Sequence, residues 1–206
     1  MKTPRHRLLA LPFVLALSSA AMAQDAPAQP STPTQLVDAL NGVFGKHAGA
    51  RAVHAKGIVL EGQFTPSPQA ASISKAAHLQ ATAVPVTVRF SDFAGITDIP
   101  DNHGLASPRG MAIRFALPGG GSTDIVAHSF NGFPSPTADD FRELLIALGT
   151  SGPDAPKPTP LDGYLATHPA AKAFLTAPKP APESFATLPY YGVVIPPFLV
   201  LARSRG

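Results

Sequence analysis

The stretch Arg51-Ala-Val-His54-Ala-Lys-Gly57 sets one imidazole between small apolar residues, with a guanidinium three positions before it. Imidazole titrates near neutral pH, so a histidine held in place can take a proton from a substrate and return it. A histidine at a strand end can equally do no more than complete the fold. Two further groups would turn it into a site. In Val86-Thr-Val-Arg89-Phe-Ser91-Asp92, the alternation of an extended chain sets Thr87, Arg89 and Ser91 on one face. Val86, Val88, Phe90 and Asp92 share the other. A Ser91 hydroxyl could orient an imidazole, and Arg51 and Arg89 could anchor an anionic cofactor through planar, two-pronged contacts. Spacing by itself does not establish that these side chains meet.

The elements that must bring them together can be read from periodicity. Thr32-Pro33-Thr34-Gln35 has the form of a helix start, with a Thr cap, Pro in the first helical position and Gln three residues after the cap. Leu36, Val37, Leu40, Val43 and Phe44 follow near one face, and Gly45 ends the helix. From residue 55 to about 130 the period changes to that of strands. KGIVLEGQF, VPVTVRFSDF, GMAIRFALP and STDIVAHSF are short apolar or alternating runs bounded by Gly, Pro, Ser or Asp. LPGGGSTD reads as a hairpin connection, so the last two of these strands should pair antiparallel. The polar face of the second strand needs a ligand or a polar network if it is turned inward. SPTADDFRELLIALG reads as a capped helix whose stripe of Phe141, Leu144, Leu145 and Leu148 packs on a core. Two short helical pieces flank Pro169, within Pro-rich connectors. The fold class expected is α+β, a β-barrel or sandwich with flanking helices.

Charge and composition narrow the function. Residues 1–23 carry Lys2, Arg5 and Arg7 ahead of LLALPFVLAL and Ala21-Met22-Ala23, the form of a cleavable secretory signal. Residues 24–32 read as a linker and 33–206 as one domain, exported to the periplasm or secreted, with no stable membrane insertion once the signal is removed. Without the signal, 13 Lys and Arg balance 13 Asp and Glu. No basic stripe remains for nucleic acid. The chain has no cysteine, which excludes disulfides, zinc–thiolate sites and thiol catalysis.

These residues resemble a family. The segment from Arg51 to Gly57 with Gly62-Gln-Phe64 is similar to the distal histidine segment of haem catalases, and Val86–Ser91 followed by Ala94-Gly95 to their next strand. Ser107-Pro-Arg109-Gly-Met-Ala-Ile-Arg-Phe115 and Thr123-Asp-Ile-Val126 continue the match in order over roughly residues 45–145. HSFNGFP after the fourth strand points toward the short, exported catalase-related peroxidases. The resemblance implies an antiparallel β-barrel core holding haem b. It implies that His54 moves a proton on bound hydrogen peroxide or an organic hydroperoxide, while a small-molecule donor serves as reductant. Ser91 would fix the imidazole, Arg51 and Arg89 would pair with the haem propionates, Val53 would narrow the space over the iron, and Phe133 would lie on the porphyrin.

The chain also departs from that family. Where catalases carry an asparagine after the fourth strand, His128 stands here, either as a second distal donor or as a strand-end residue. This favours peroxidase chemistry over disproportionation. His103, in PDNHGLASP, reads as a solvated loop residue. None of the tyrosines, Tyr164, Tyr190 and Tyr191, follows an arginine in the family's Arg-x-x-x-Tyr pattern, so no residue is assigned as iron ligand. VIPPFLVLARSRG places two prolines in an apolar run, which a central strand cannot continue. The expectation is a frameshift or truncation near residue 193 and an incomplete C-terminal part. The alternative function is a non-catalytic exported barrel that binds haem or an apolar ligand weakly; self-association is left open.

Overall fold

The computed structural model describes residues 30–80 and 82–192. The signal segment, most of the linker and the run from residue 193 onward, where the frameshift or truncation is expected, lie outside the described residues. Helix α1 (Pro33–Phe44) starts on a Thr32 capping box with Gln35 and Pro at the first position, as its sequence dictates, and Gly45 ends it at φ 82°. Four strands follow: β1 (Gly57–Phe64), β2 (Val84–Ser91), β3 (Gly110–Ala116) and β4 (Ser122–His128). A short helix α2 (Ala70–Ile73) interrupts the connection between β1 and β2. Helices α3 (Ala138–Gly149), α4 (Pro160–Thr167) and α5 (Pro169–Thr176) complete the described chain. Among the described residues no helix is long and apolar enough to cross a membrane.

The strands form one antiparallel sheet in the order β1-β2-β3-β4. The sheet is open. The barrel expected from the resemblance is not closed by the described strands, because four strands are too few to curl through a full turn; even small barrels use about eight. Both outer strands instead leave apolar side chains exposed, Ile58, Val59 and Leu60 on β1 and Ile125 and Val126 on β4.

Register decides which residues share a face. Gly57 pairs with Ser91, Ser91 with Gly110, and Gly110 with His128. Residues directly opposite one another in antiparallel strands point to the same side. Ser91, Gly110 and His128 therefore form one row, followed by the row Val59, Arg89, Ala112 and Val126. The opposite face carries Ile58, Leu60, Val86, Val88, Phe90, Met111, Ile113 and Phe115, as the alternation in β2 requires.

The buried core nearest the first row is built from Phe44, Ala94, Ile99 and Ala106, against which Leu40, Val43, Val53 and Phe93 pack. Helix α1 lies on α3, where Leu144 and Leu145 are buried. The helices approach closely at two glycines, since a Cβ on Gly149 would stand 3.1 Å from the Gly42 carbonyl oxygen. The α1–loop–sheet arrangement thus carries residues 51–56 across the end of β2.

Candidate functional site

His54 is held by its main chain before its ring makes any contact. Its φ of 55° lies in the left-handed region, rare for a residue with a side chain. The conformation persists because neighbours fix it on both sides. His54 N–H donates to Phe93 O at 2.8 Å and Ala55 N–H to Ala94 O at 3.1 Å. Arg89 Nη2 donates to His54 O at 2.8 Å and to Ala55 O at 3.2 Å. A locally strained backbone held by its surroundings is characteristic of functional positions.

The ring then lands on the first row of the sheet. Nδ1 lies 3.0 Å from the Asp92 carbonyl oxygen and 3.0 Å from Ser91 Oγ. A carbonyl can only accept, so Nδ1 carries the hydrogen and Nε2 is left with a free lone pair. The ring rests directly on Gly110, where a Cβ would stand 2.8 Å from Nδ1 and 2.6 Å from Ser91 Oγ. Only glycine fits beneath this imidazole. The edge of the ring meets Phe93 at 5.5 Å between centroids.

Burial, followed by the positive charge of Arg89, the neighbouring His128 and Arg51, pushes the His54 pKa down to about 4. The imidazole is neutral at pH 7 and able to accept a proton at Nε2.

The remaining expected residues are distributed around this centre. Ser91 is buried, with its Oγ 3.0 Å from the imidazole Nδ1. Arg89 lies on the polar face, half-buried, with Nη2 used on the two carbonyls. Arg51 is exposed and close enough to lower the pKa of Arg89, after burial. Neither arginine forms an ion pair among the described residues. Val53 is half-buried against the Phe44 cluster. Phe133 is 45% exposed, 5.1 Å from Phe141 and 6.5 Å from the His128 ring.

His128 is buried, and its Nε2 donates to Gly132 O at 3.0 Å, while its ring stacks on Phe174. Burial holds its pKa below the ordinary value, partly offset by that bond. His103 is exposed and caps a single helical turn through Leu105 N–H, in keeping with a loop role.

Two hydroxyls among the tyrosines are used on the main chain, Tyr164 on Asp140 O at 2.8 Å and Tyr190 on Phe185 O at 3.0 Å. Tyr191 pairs its main chain with that of His128.

Sequence reasoning missed the groups beneath the site. Asp92 and Arg109 form an ion pair in which Asp92 is 1% and Arg109 2% exposed. Arg109 Nη2 also donates to Asp101 O, and Lys56 Nζ to Ile99 O at 2.7 Å. The available signal was Asp92 itself, a charge ending the apolar row Val86, Val88, Phe90, which no buried strand end tolerates without a partner.

The polar side of the sheet has what a flat, largely apolar, anionic group requires. Val59 and Val126 are 58% and 64% exposed on that side. Arg51 and Arg89 supply positive charge with no acidic partner among the described residues, and a neutral imidazole base lies alongside. A haem would fit that description.

A sequence model of the catalase family matches residues 29–151. A catalase-related peroxidase of Mycolicibacterium paratuberculosis is 38% identical over 165 residues, which is 79% of this chain and 51% of that protein. A catalase-related peroxidase of Synechococcus elongatus is 29% identical over 166 residues, 79% of this chain and 48% of that one. The chain thus spans about half the length of the curated relatives it matches. Among solved structures a bacterial catalase superposes with a TM-score of 0.50 at 22% identity, over 77% of this chain and 32% of that one, a likeness of fold.

Proposed function

This chain belongs to the catalase family, and on that premise we propose that it is an exported haem-dependent peroxidase in which His54 is the acid–base group. The observation that carries the reading is the neutral imidazole fixed by Nδ1 to Asp92 O and Ser91 Oγ, with Nε2 open on the side of the sheet that holds Arg89. When bound, haem b supplies the redox-active iron at which a peroxide is reduced at the expense of an organic donor.

The chain's own residues supply positioning and proton movement. Arg51 and Arg89 would hold the carboxylates of the group, Arg89 through guanidinium nitrogens not used on the His54 and Ala55 carbonyls. Val59 and Val126 would give it an apolar bed, Phe133 would close its side, and Val53 would bound the space next to His54. Hydrogen peroxide or an organic hydroperoxide gives its proton to His54 Nε2, and the same nitrogen returns it to the departing oxygen. Both transfers leave Nδ1–H on the Asp92 carbonyl, so the ring keeps one orientation throughout. General acid–base transfer of this kind contributes roughly 10²–10⁴ in rate. His128, with Nε2 on Gly132 O, acts on the base through its nearby positive charge when protonated, which adds to the lowering of the His54 pKa.

The exposed apolar edges of β1 and β4 are the seams along which the sheet would close into a barrel over residues 33–206. The signal segment would direct the chain to the periplasm or medium.

Titration of the purified chain with hemin, followed by absorbance, tests the cofactor. A Soret band saturating at one equivalent, with peroxide-dependent oxidation of a dye, is expected. A spectrum of free hemin throughout would refute the proposal.

A further inference from the structure

We infer that the buried Asp92–Arg109 pair is a positioning device that fixes His54 in its Nδ1–H tautomer. The inference rests on the reading of His54 as the proton carrier.

A buried ion pair is a poor source of net stability, because desolvation of both charges offsets their attraction. This pair is also incompletely satisfied. Asp92 Oδ2 and Arg109 Nε are buried with no hydrogen-bond partner among the described residues, and Lys56 Nζ stands 3.8 Å from Oδ2. Energetic gain alone does not account for two charged side chains at 1% and 2% exposure.

Their placement does. Ser91 and Gly110 are cross-strand partners, and both touch the His54 ring. Asp92 follows Ser91 and Arg109 precedes Gly110, so the ion pair closes the same end of the ladder one residue further on. A one-residue slip of β2 against β3 would turn Ser91 away from the ring. The pair blocks that slip where the imidazole depends on register.

The pair also holds the acceptor. The carbonyl that receives Nδ1–H belongs to Asp92 itself. With its carboxylate held by Arg109 and its N–H donated to Lys56 O at 3.0 Å, residue 92 cannot rotate its carbonyl away from the imidazole. Arg109 is fixed in turn by its N–H to Ser129 Oγ at 2.9 Å and by Nη2 on Asp101 O. Lys56, two residues after His54, reaches Ile99 O and Asp101 Oδ1 in the same loop.

The test reads the tautomer directly and needs no haem. Full-length protein labelled with 15N-histidine is studied by long-range 1H–15N correlation at pH 7, as wild type, Asp92→Asn, Arg109→Lys, Ser91→Ala, and the neutral double variant Asp92→Asn/Arg109→Gln. The wild type should show His54 as a single Nδ1–H tautomer. Asp92→Asn should lower the Nδ1–H to Nε2–H ratio by roughly three- to tenfold, the weight of one ordinary hydrogen bond. Arg109→Lys, which keeps a cation beside Asp92, should largely retain the wild-type ratio. Ser91→Ala should leave the tautomer as in the wild type, because the carbonyl and not the hydroxyl sets it.

An Nε2–H or mixed tautomer in the wild type overturns the inference even if every variant fails to fold. So does an unchanged single tautomer in folded Asp92→Asn and in the folded double variant. Loss of peroxidase activity with an intact Nδ1–H pattern would count against the function proposed above and leave the positioning role standing.

Discussion

Replacing Gly110 by alanine places a methyl group where the His54 ring now rests. The new Cβ would stand 2.6 Å from Ser91 Oγ, 2.8 Å from His54 Nδ1 and 2.9 Å from His54 Cε1. Relaxed contacts of this kind need about 3.5 Å, so the imidazole must retreat by roughly 0.6–0.7 Å. The 3.0 Å contact from Nδ1 to the Asp92 carbonyl would then stretch to the edge of hydrogen-bond range or beyond. The overpacking should cost about 1–3 kcal/mol of stability. The displaced base should slow the reaction by roughly 10²-fold, the usual effect of a misplacement near 1 Å. Gly62→Ala is the control, because its nearest neighbour would be Val86 Cγ2 at 3.9 Å. Urea unfolding and peroxide-dependent dye oxidation of hemin-loaded protein read the two effects. Wild-type stability and rate in Gly110→Ala would refute the packing of His54 on Gly110.

The depressed His54 pKa makes both stability and activity depend on pH. The folded value of about 4 lies below the ordinary 6.5, so the unfolded chain binds the proton first as pH falls. The His54 contribution is intact above pH 6.5 and is lost on acidification toward pH 4, by at most about 3 kcal/mol. Urea unfolding at pH 7 and pH 4.5 should show a smaller difference in His54→Gln than in the wild type. With Nε2 free of protons to about pH 4, the acid limb of kcat/KM should fall near that value and not near 6.5. Arg89→Lys loses the guanidinium that bonds His54 O and Ala55 O, and should cost about 1.5–3 kcal/mol in unfolding experiments. Its hemin affinity should fall as well, read from the Soret titration.

The parts of this site that follow local periodicity were legible in the residues. Thr32, Pro33 and Gln35 specify the start of α1, and alternation in β2 correctly separates Thr87, Arg89 and Ser91 from the apolar face. The hairpin between β3 and β4 follows from Gly119–Gly121, all at positive φ. Contacts that depend on register were not legible. That His54 lies over Gly110 requires knowing that Ser91 faces Gly110, and residues 37 to 56 positions apart give no local signal of this. The Asp92–Arg109 pair was hidden for the same reason, although a charge in an apolar row announced that some partner was needed. The left-handed conformation of His54 is invisible in a valine–histidine–alanine sequence, because it is imposed by Phe93, Ala94 and Arg89. Barrel closure was inferred from the resemblance, whereas the described strands form an open sheet with apolar edges.

In the proposed reaction the neutral imidazole of His54 carries the proton of the peroxide. The most direct measurement is the peroxide-dependent oxidation rate of an organic donor by hemin-loaded wild type and His54→Ala at pH 7, with hemin occupancy matched by the Soret band. A fall of roughly 10²–10⁴ is expected in His54→Ala at equal occupancy. Equal rates at equal occupancy would contradict it.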